Sequence, residues 1–341
     1  MAGACKVYTE ISGTGSALPK QRITNDELAV LVDTSDEWIT SRTGISERWI
    51  SAGESTSDLA AEAAANALAD AGVEPADIDL VISATVSPDN FTPTVSCEVQ
   101  KALGLSQATC FDLWAGCTGF IFSLMTADSL LKSGFFSRAL VIGAEVLSKL
   151  VDWEDRATCV LFGDGAGAAV LSRSSEPGLL SHVSGSDGSR GEVLTIGGVP
   201  LMNPWSPERA WTAGQGSLNH DQSVICMNGQ EVFKFAVRAM ESSIRRATER
   251  SDLSLHDISY IIPHQANNRI IQSVAGRMGM PREKFFTNLD HRGNTSSASI
   301  PMALDEMNRA GLLLPGMHLA LVGFGGGLTW GASIVRWTRQ S

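Results

Sequence analysis

Apolar residues recur along the chain in two rhythms. From Ser57 to Ala71, the positions Leu59, Ala63, Ala67, Leu68 and Ala71 fall near a 3.6-residue period and Gly72 follows as a stop, which predicts an amphipathic helix. Short runs rich in Val, Ile and Leu follow such segments, as at Ile78 to Ala84, and read as strands. Strands of this buried type alternating with longer Ala-rich helical stretches are the pattern of an α/β protein with a largely covered sheet. No low-complexity linker interrupts it.

The pattern repeats. Asp77-Ile78-Asp79-Leu80-Val81-Ile82 answers to Asp257-Ile258-Ser259-Tyr260-Ile261-Ile262, 180 residues later, and Val141-Ile142-Gly143 answers to Leu321-Val322-Gly323 at the same spacing. Between them, Leu103-Gly104-Leu105 resembles Met278-Gly279-Met280 at a spacing of 175. Three matches in one order predict a duplicated α/β unit, divided into residues 1–175 and 176–341, with the halves packed about a pseudo-twofold axis. The repeat brings reactive residue types to equivalent places. Cys117 follows the strand-like Thr109 to Leu113, His264 follows Tyr260 to Ile262, Asn294 follows a strand expected at Phe285 to Leu289, and glycines 325 to 327 follow Leu319 to Val322. Each lies just past the carboxyl end of a predicted strand, where open α/β sheets place their sites.

Composition narrows the functional class. With 341 residues, 43% of them hydrophobic, the chain can bury a large core. A formal net charge of -11 argues against a nucleic-acid partner, which needs a basic footprint. No stretch reaches the ~18 uninterrupted apolar residues of a membrane helix, and the start, Met1 to Glu10, lacks a basic segment followed by an apolar run. The reading is a cytoplasmic protein without a membrane. Cysteines 5, 97, 110, 117, 159 and 226 show neither zinc-site spacing nor a disulfide framework and read as reduced thiols; no metal site is expected.

Of these, Cys117 stands in Trp114-Ala115-Gly116-Cys117-Thr118-Gly119-Phe120, between a small-residue turn and a helix that is apolar nearly all round. The positive end of the helix dipole there is expected to favour the thiolate; on this evidence Cys117 reads equally as a nucleophile or as a packed core thiol. His264 lies in the polar cluster Pro263-His264-Gln265-Ala266-Asn267-Asn268-Arg269 and reads as a structural or a catalytic histidine. Asn294, in Arg292-Gly293-Asn294-Thr295-Ser296-Ser297-Ala298-Ser299, reads most simply as part of a capping cluster. Gly323-Phe324-Gly325-Gly326-Gly327 either turns bare N–H groups toward an anion or makes a tight turn. Phe162 to Ala168 lacks the spacing and the following Lys-Ser or Lys-Thr of a nucleotide loop, and reads as a structural turn.

Taken in order, these motifs resemble the 3-oxoacyl-(acyl-carrier-protein) synthase III family of condensing enzymes. Gly13-Thr14-Gly15-Ser16-Ala17-Leu18-Pro19, Thr34-Ser35-Asp36-Glu37-Trp38-Ile39, Arg42-Thr43-Gly44-Ile45, the cysteine turn, Phe162 to Ala168, Pro263 to Asn267, Gly293 to Pro301 and Phe324 to Gly327 carry the resemblance over nearly the whole length. It implies a thiolase-like fold of two duplicated α/β halves in five αβαβα layers. It also implies a Cys117, His264, Asn294 triad that condenses an acyl-coenzyme A with malonyl-acyl carrier protein through an acyl-Cys117 intermediate, with an oxyanion hole at the N–H groups of Cys117 and Gly326. A homodimer with no permanently bound cofactor is implied as well, coenzyme A thioester being substrate.

Coenzyme A contacts implied by the resemblance are Trp38, Arg42, Arg156, Gly229, Phe233 and Asn267. Lys234, Arg238 and Arg245 fall within about 40° on a helix, and with Arg269 and Arg277 make a candidate dock for the acidic carrier protein or a solvated face, interrupted by Glu241. Two departures bear on the acyl pocket: Trp114 and Gly116 replace the usual residues before the nucleophile, and Thr92 stands where many relatives have phenylalanine. The smaller Thr92 leaves room for a longer or branched primer, unless Phe91 or Trp114 refills the space. Three rival functions keep the same fold: a degradative thiolase, a secondary-metabolite priming synthase and a catalytically silent subunit. The first typically has a second cysteine near the C-terminus, and none follows Cys226; the third usually lacks the nucleophile.

Overall fold

The computed structural model describes residues 7–198 and 223–339; Cys5 and the first six positions lie outside them. Two sheets organise these residues. The first contains β1 (Tyr8–Ala17), β2 (Leu80–Ala84), β3 (Thr109–Leu113), β4 (Arg138–Glu145) and β5 (Gly165–Ser174), in the order β1-β5-β4-β2-β3. The second contains β6 (Leu179–Ser186), β7 (Ile258–Pro263), β8 (His318–Gly325) and β9 (Thr329–Arg336), in the order β7-β8-β9-β6.

Four strands of the first sheet are repeated in the second. In each, an antiparallel pair leads to an antiparallel and then a parallel neighbour: β1 with β5, β5 with β4 and β4 with β2 answer to β6 with β9, β9 with β8 and β8 with β7. The spacing of 180 read from the sequence carries β4 onto β8 residue for residue. One expectation fails. The strand anticipated at Phe285 to Leu289 is a single parallel bridge from Phe285 to Ile261, and Leu289–Arg292 is a short helix. The apolar run there is too short and too broken by Thr287 and Asn288 to sustain a ladder, and Asn288 is instead buried beneath Glu306.

Helices complete five layers. α1 (Thr56–Ala71) and α2 (Val95–Leu103) cover the outer face of the first sheet, while α4 (Gly229–Arg250) and α5 (Asn268–Met278) cover the outer face of the second. α3 (Gly119–Ser133) and α6 (Ser299–Arg309) fill the middle, where Phe120, Leu124, Ile300 and Leu304 pack with Val141 of one sheet and Leu321 of the other in a single core. α1 begins at Thr56, one residue before the expected start, with a capping box from Ser55, and stops as expected at Gly72, which takes a left-handed conformation. No described helix is long and apolar enough to cross a membrane.

Two equivalent turns are exchanged between the halves. The 3₁₀ turn Gly116–Thr118 precedes α3 and the 3₁₀ turn Ser296–Ala298 precedes α6, again 180 residues apart. Each sits on the central strand of the opposite sheet. A Cβ on Gly143 of β4 would come within 2.3 Å of the Ser297 carbonyl oxygen, and one on Gly323 of β8 would touch the Cys117 carbonyl at 3.5 Å. Glycine at 143 is therefore required by close approach.

Candidate active site

Cys117 is positioned by this exchange. Gly116 takes a φ of +54°, turning the chain so that Cys117 faces the end of β8. A Cβ on Gly325 would lie 2.6 Å from the Cys117 nitrogen, and one on Gly116 would lie 3.1 Å from the Gly326 nitrogen. The backbone of Gly325 and Gly326 thus runs against the Cys117 turn, and Thr118 Oγ1 pairs with Thr329 Oγ1 at 2.8 Å to hold the two together.

His264 follows β7 and is buried, its backbone N–H donating to Val322 at 2.8 Å and its ring meeting Phe324 edge-on at 5.3 Å. Its Nδ1 lies 2.7 Å from the Ser299 hydroxyl. Asn294 is pinned by backbone bonds on both sides: its N–H donates to Leu161 at 2.9 Å, and its carbonyl accepts from Gly163 at 3.0 Å. Beneath it Arg48, wholly buried, donates to Asn25 Oδ1 at 2.7 Å and to the Val160 carbonyl at 2.8 Å.

Cys117, His264, Asn294 and Gly326 line one cavity of about 1170 Å³. Its walls also include Trp38, Arg42, Thr92, Trp114, Gly229, Phe233 and Asn267. Arg156 reaches the same region through Trp38: the guanidinium carbons of Arg42 and Arg156 lie 4.5 and 4.8 Å from that ring's centroid. Asn267 donates to the Arg42 carbonyl at 3.2 Å and caps α5 by accepting from Arg269. Phe91 and Trp114, 66% and 57% exposed, stand at the rim.

Burial sets the electrostatics, and it corrects one expectation. The helix start was expected to favour the Cys117 thiolate; instead the protein packed around the sulfur pushes the thiol up to about 12, with the buried Glu145 carboxyl acting in the same direction. The dipole supplies about half a charge, too little to offset desolvation. The same burial pushes His264 down to about 3, so it is neutral. The resting pair is a thiol and an imidazole.

The basic set outside the cavity is divided. Lys234 and Arg238 line a smaller groove with Arg190 and Arg246, but Lys234 is paired to Glu231 at 2.8 Å. Arg245 and Arg277 both pair with Glu241, at 3.3 and 2.7 Å, and Arg269 bonds the Ser41 carbonyl beside Trp38. The stripe, interrupted by Glu241 already in the sequence, is thus partly neutralised, by Glu231 at Lys234 and by Glu241 at Arg245 and Arg277.

Residues 111–188 match the family described as 3-oxoacyl-[acyl-carrier-protein (ACP)] synthase III, and residues 248–337 match its C-terminal counterpart. A beta-ketoacyl-[acyl-carrier-protein] synthase III of Clostridium acetobutylicum is 52% identical over 97% of this chain and 99% of its own. This chain belongs to the 3-oxoacyl-acyl-carrier-protein synthase III family. Among solved structures, the synthase III of Aquifex aeolicus superposes with a TM-score of 0.87 at 44% identity, covering 96% of this chain and 100% of that one. The priming beta-ketosynthase of the R1128 polyketide pathway superposes at 0.89 with 33% identity, covering 98% and 97%. The thiolase-like fold anticipated from the motifs is the fold of these synthases.

Several residues that build the site in this synthase III chain drew no attention in the sequence. Ser299 holds His264, and the carboxyl of Glu145, fully buried among Thr85, Ser87 and Ser297, lies behind the exchanged turn. One signal was available: moving 180 residues from Cys117 leads to Ser297, within the serine cluster.

Proposed function

We propose that Cys117, His264 and Asn294 carry out the decarboxylative condensation of an acyl-coenzyme A with malonyl-acyl carrier protein, the initiating step of fatty acid synthesis. The observation that carries this reading is their convergence with the Gly326 backbone on one large cavity. Acyl transfer comes first: Cys117 sulfur attacks the thioester carbonyl, an acyl-enzyme forms and coenzyme A leaves. Malonyl thioester then loses carbon dioxide, and neutral donors on His264 and Asn294 stabilise the enolate oxygen. The carbanion attacks the acyl-Cys117 carbonyl, whose oxyanion is held by the N–H groups of Cys117 and Gly326.

Coenzyme A enters past Trp38, Arg42 and Arg156, whose cations and ring suit an adenine and phosphates, with Gly229, Phe233 and Asn267 along the pantetheine path. Acyl carrier protein docks on Lys234, Arg238, Arg269 and Arg277. Exposure of Phe91 and Trp114 supports a homodimer that covers this rim. The halves 1–175 and 176–341 are the duplicated units, the protein is cytoplasmic, and coenzyme A is a substrate rather than a resident cofactor.

Thr92, smaller than the phenylalanine many relatives carry there, lines the cavity together with Trp114 and supports a primer longer or more branched than acetyl. The likeness to a polyketide priming ketosynthase supports a second reading, in which the same chemistry starts a secondary metabolite. Intact-protein mass spectrometry after exposure to a panel of acyl-coenzyme A thioesters tests both. A mass gain abolished by Cys117→Ala is expected, the best acyl group naming the primer; no gain with any thioester overturns the reading.

A further inference from the structure

The two half-reactions make opposite demands on His264. As acceptor of the Cys117 proton its cavity-facing nitrogen must be bare; as donor to a thioester oxygen it must carry hydrogen. The surroundings of Nδ1 address this conflict. Ser299 Oγ lies 2.7 Å from Nδ1, 2.9 Å from the Ser296 carbonyl and 3.3 Å from the Gln265 N–H that donates to it. His264, Gln265, Ser296 and Ser299 are all at most 3% exposed, so these groups must satisfy one another.

A hydroxyl has one proton and two lone pairs. Gln265 takes one lone pair. Two arrangements remain. With the hydroxyl proton on the Ser296 carbonyl, the second lone pair faces Nδ1, which must then be N–H, and Nε2 is bare. With the hydroxyl turned to Nδ1, that nitrogen is the acceptor and Nε2 carries the hydrogen. Turning costs little, because the Ser296 carbonyl keeps a second donor, the Ser299 backbone N–H.

We propose that Ser299 is a positioning residue whose hydroxyl supports both tautomers of His264, the bare Nε2 for acyl transfer and the Nε2–H for condensation. The inference rests on the condensing reading above. During acyl transfer Nε2 takes the thiol proton as the sulfur–carbonyl bond forms, and gives it to the coenzyme A sulfur as the old carbon–sulfur bond breaks. In condensation Nε2–H only donates a hydrogen bond while the carbon–carboxylate bond breaks. Between the two, Nε2 takes a proton from water in the cavity and Nδ1 gives one to water in a brief local opening of its buried surroundings, after which the Ser299 hydroxyl closes on Nδ1 instead of the Ser296 carbonyl.

Nitrogen-15 NMR of histidine-labelled enzyme, with His264→Gln assigning the signal, reads the tautomer directly. In the free thiol enzyme Nδ1–H is expected to predominate; after alkylation of Cys117 with iodoacetamide, which removes the thiol proton, Nε2–H is expected. The same tautomer in both states overturns the proposal. In single-turnover assays Ser299→Ala is expected to slow both acyl-enzyme formation and malonyl-acyl carrier protein decarboxylation about tenfold or more, and unchanged rates overturn the proposal too. Absence of acyl-enzyme in the unsubstituted protein would instead refute the condensing reading, so the two failures are distinct.

Discussion

The side-chain oxygen of Asn294 accepts the backbone N–H of Ser296 at 3.0 Å, which fixes the orientation of the amide: Oδ1 faces the turn and Nδ2 is left as a donor for the cavity. Asn294→Asp keeps the acceptor and replaces that donor with a carboxylate oxygen. Malonyl decarboxylation is expected to fall about 100-fold or more, while acyl-enzyme formation, followed by mass, stays near the unsubstituted rate. Equal loss in both steps would mean that Asn294 shapes the turn rather than the enolate site.

Cys117 provides a pH test. With its thiol pushed up to about 12, the thiolate fraction below that value rises about tenfold per pH unit. Iodoacetamide alkylation of Cys117 should therefore climb steadily from pH 7 to pH 10. A plateau near pH 7 would show that the helix start, and not desolvation, controls this sulfur.

Gly325 is where the second sheet touches the Cys117 turn. In Gly325→Ala the new methyl would stand 2.6 Å from the Cys117 nitrogen, so the turn or β8 must shift. Displacement of the Cys117 and Gly326 N–H groups is expected to lower kcat about 100-fold, with the protein still folded by circular dichroism. Full activity would place the oxyanion elsewhere.

His291 ties the Asn294 turn to α6, with ring nitrogens 2.9 Å from Asp290 and 3.1 Å from Glu306. The Asp290 bond, then that to Glu306, raises it to about 9. Because the folded value exceeds the ordinary one near 6.5, this stabilisation is fully present below about pH 6.5 and is lost as pH rises through about 9. The side chain is 35% exposed, so solvent weakens the effect. His291→Gln is expected to melt about 2 °C lower at pH 6 and to match the unsubstituted protein at pH 10; a gap that does not narrow would assign His291 a packing role alone.

Periodicity and repetition made the large features legible. The spacing of 180 carries β4 onto β8 and the Cys117 turn onto the Ser297 turn, because equivalent strands need equivalent apolar runs. Cys117, His264 and Gly326 could be grouped because strand ends mark sites, whereas Asn294 was joined to them through a strand at 285–289 that does not form. The rest depends on what lies opposite in space. Nothing around Cys117 in sequence reports the density that desolvates it, and the distant Glu145 does not show in that motif. Helical spacing aligned Arg245 with its neighbours but could not reveal Arg277, from another helix, closing on the same Glu241. Ser299 sat unnoticed among serines that a capping cluster explains equally well.

Since the Cys117 turn rests on β8 and the Ser297 turn on β4, each half completes the other's interior. Neither half, expressed alone, would have a finished surface, and Cys117 would lose its seat before its own sheet came apart. Heating or urea should thus extinguish activity and tertiary structure together, in one cooperative transition, rather than release an inactive protein with one half still folded.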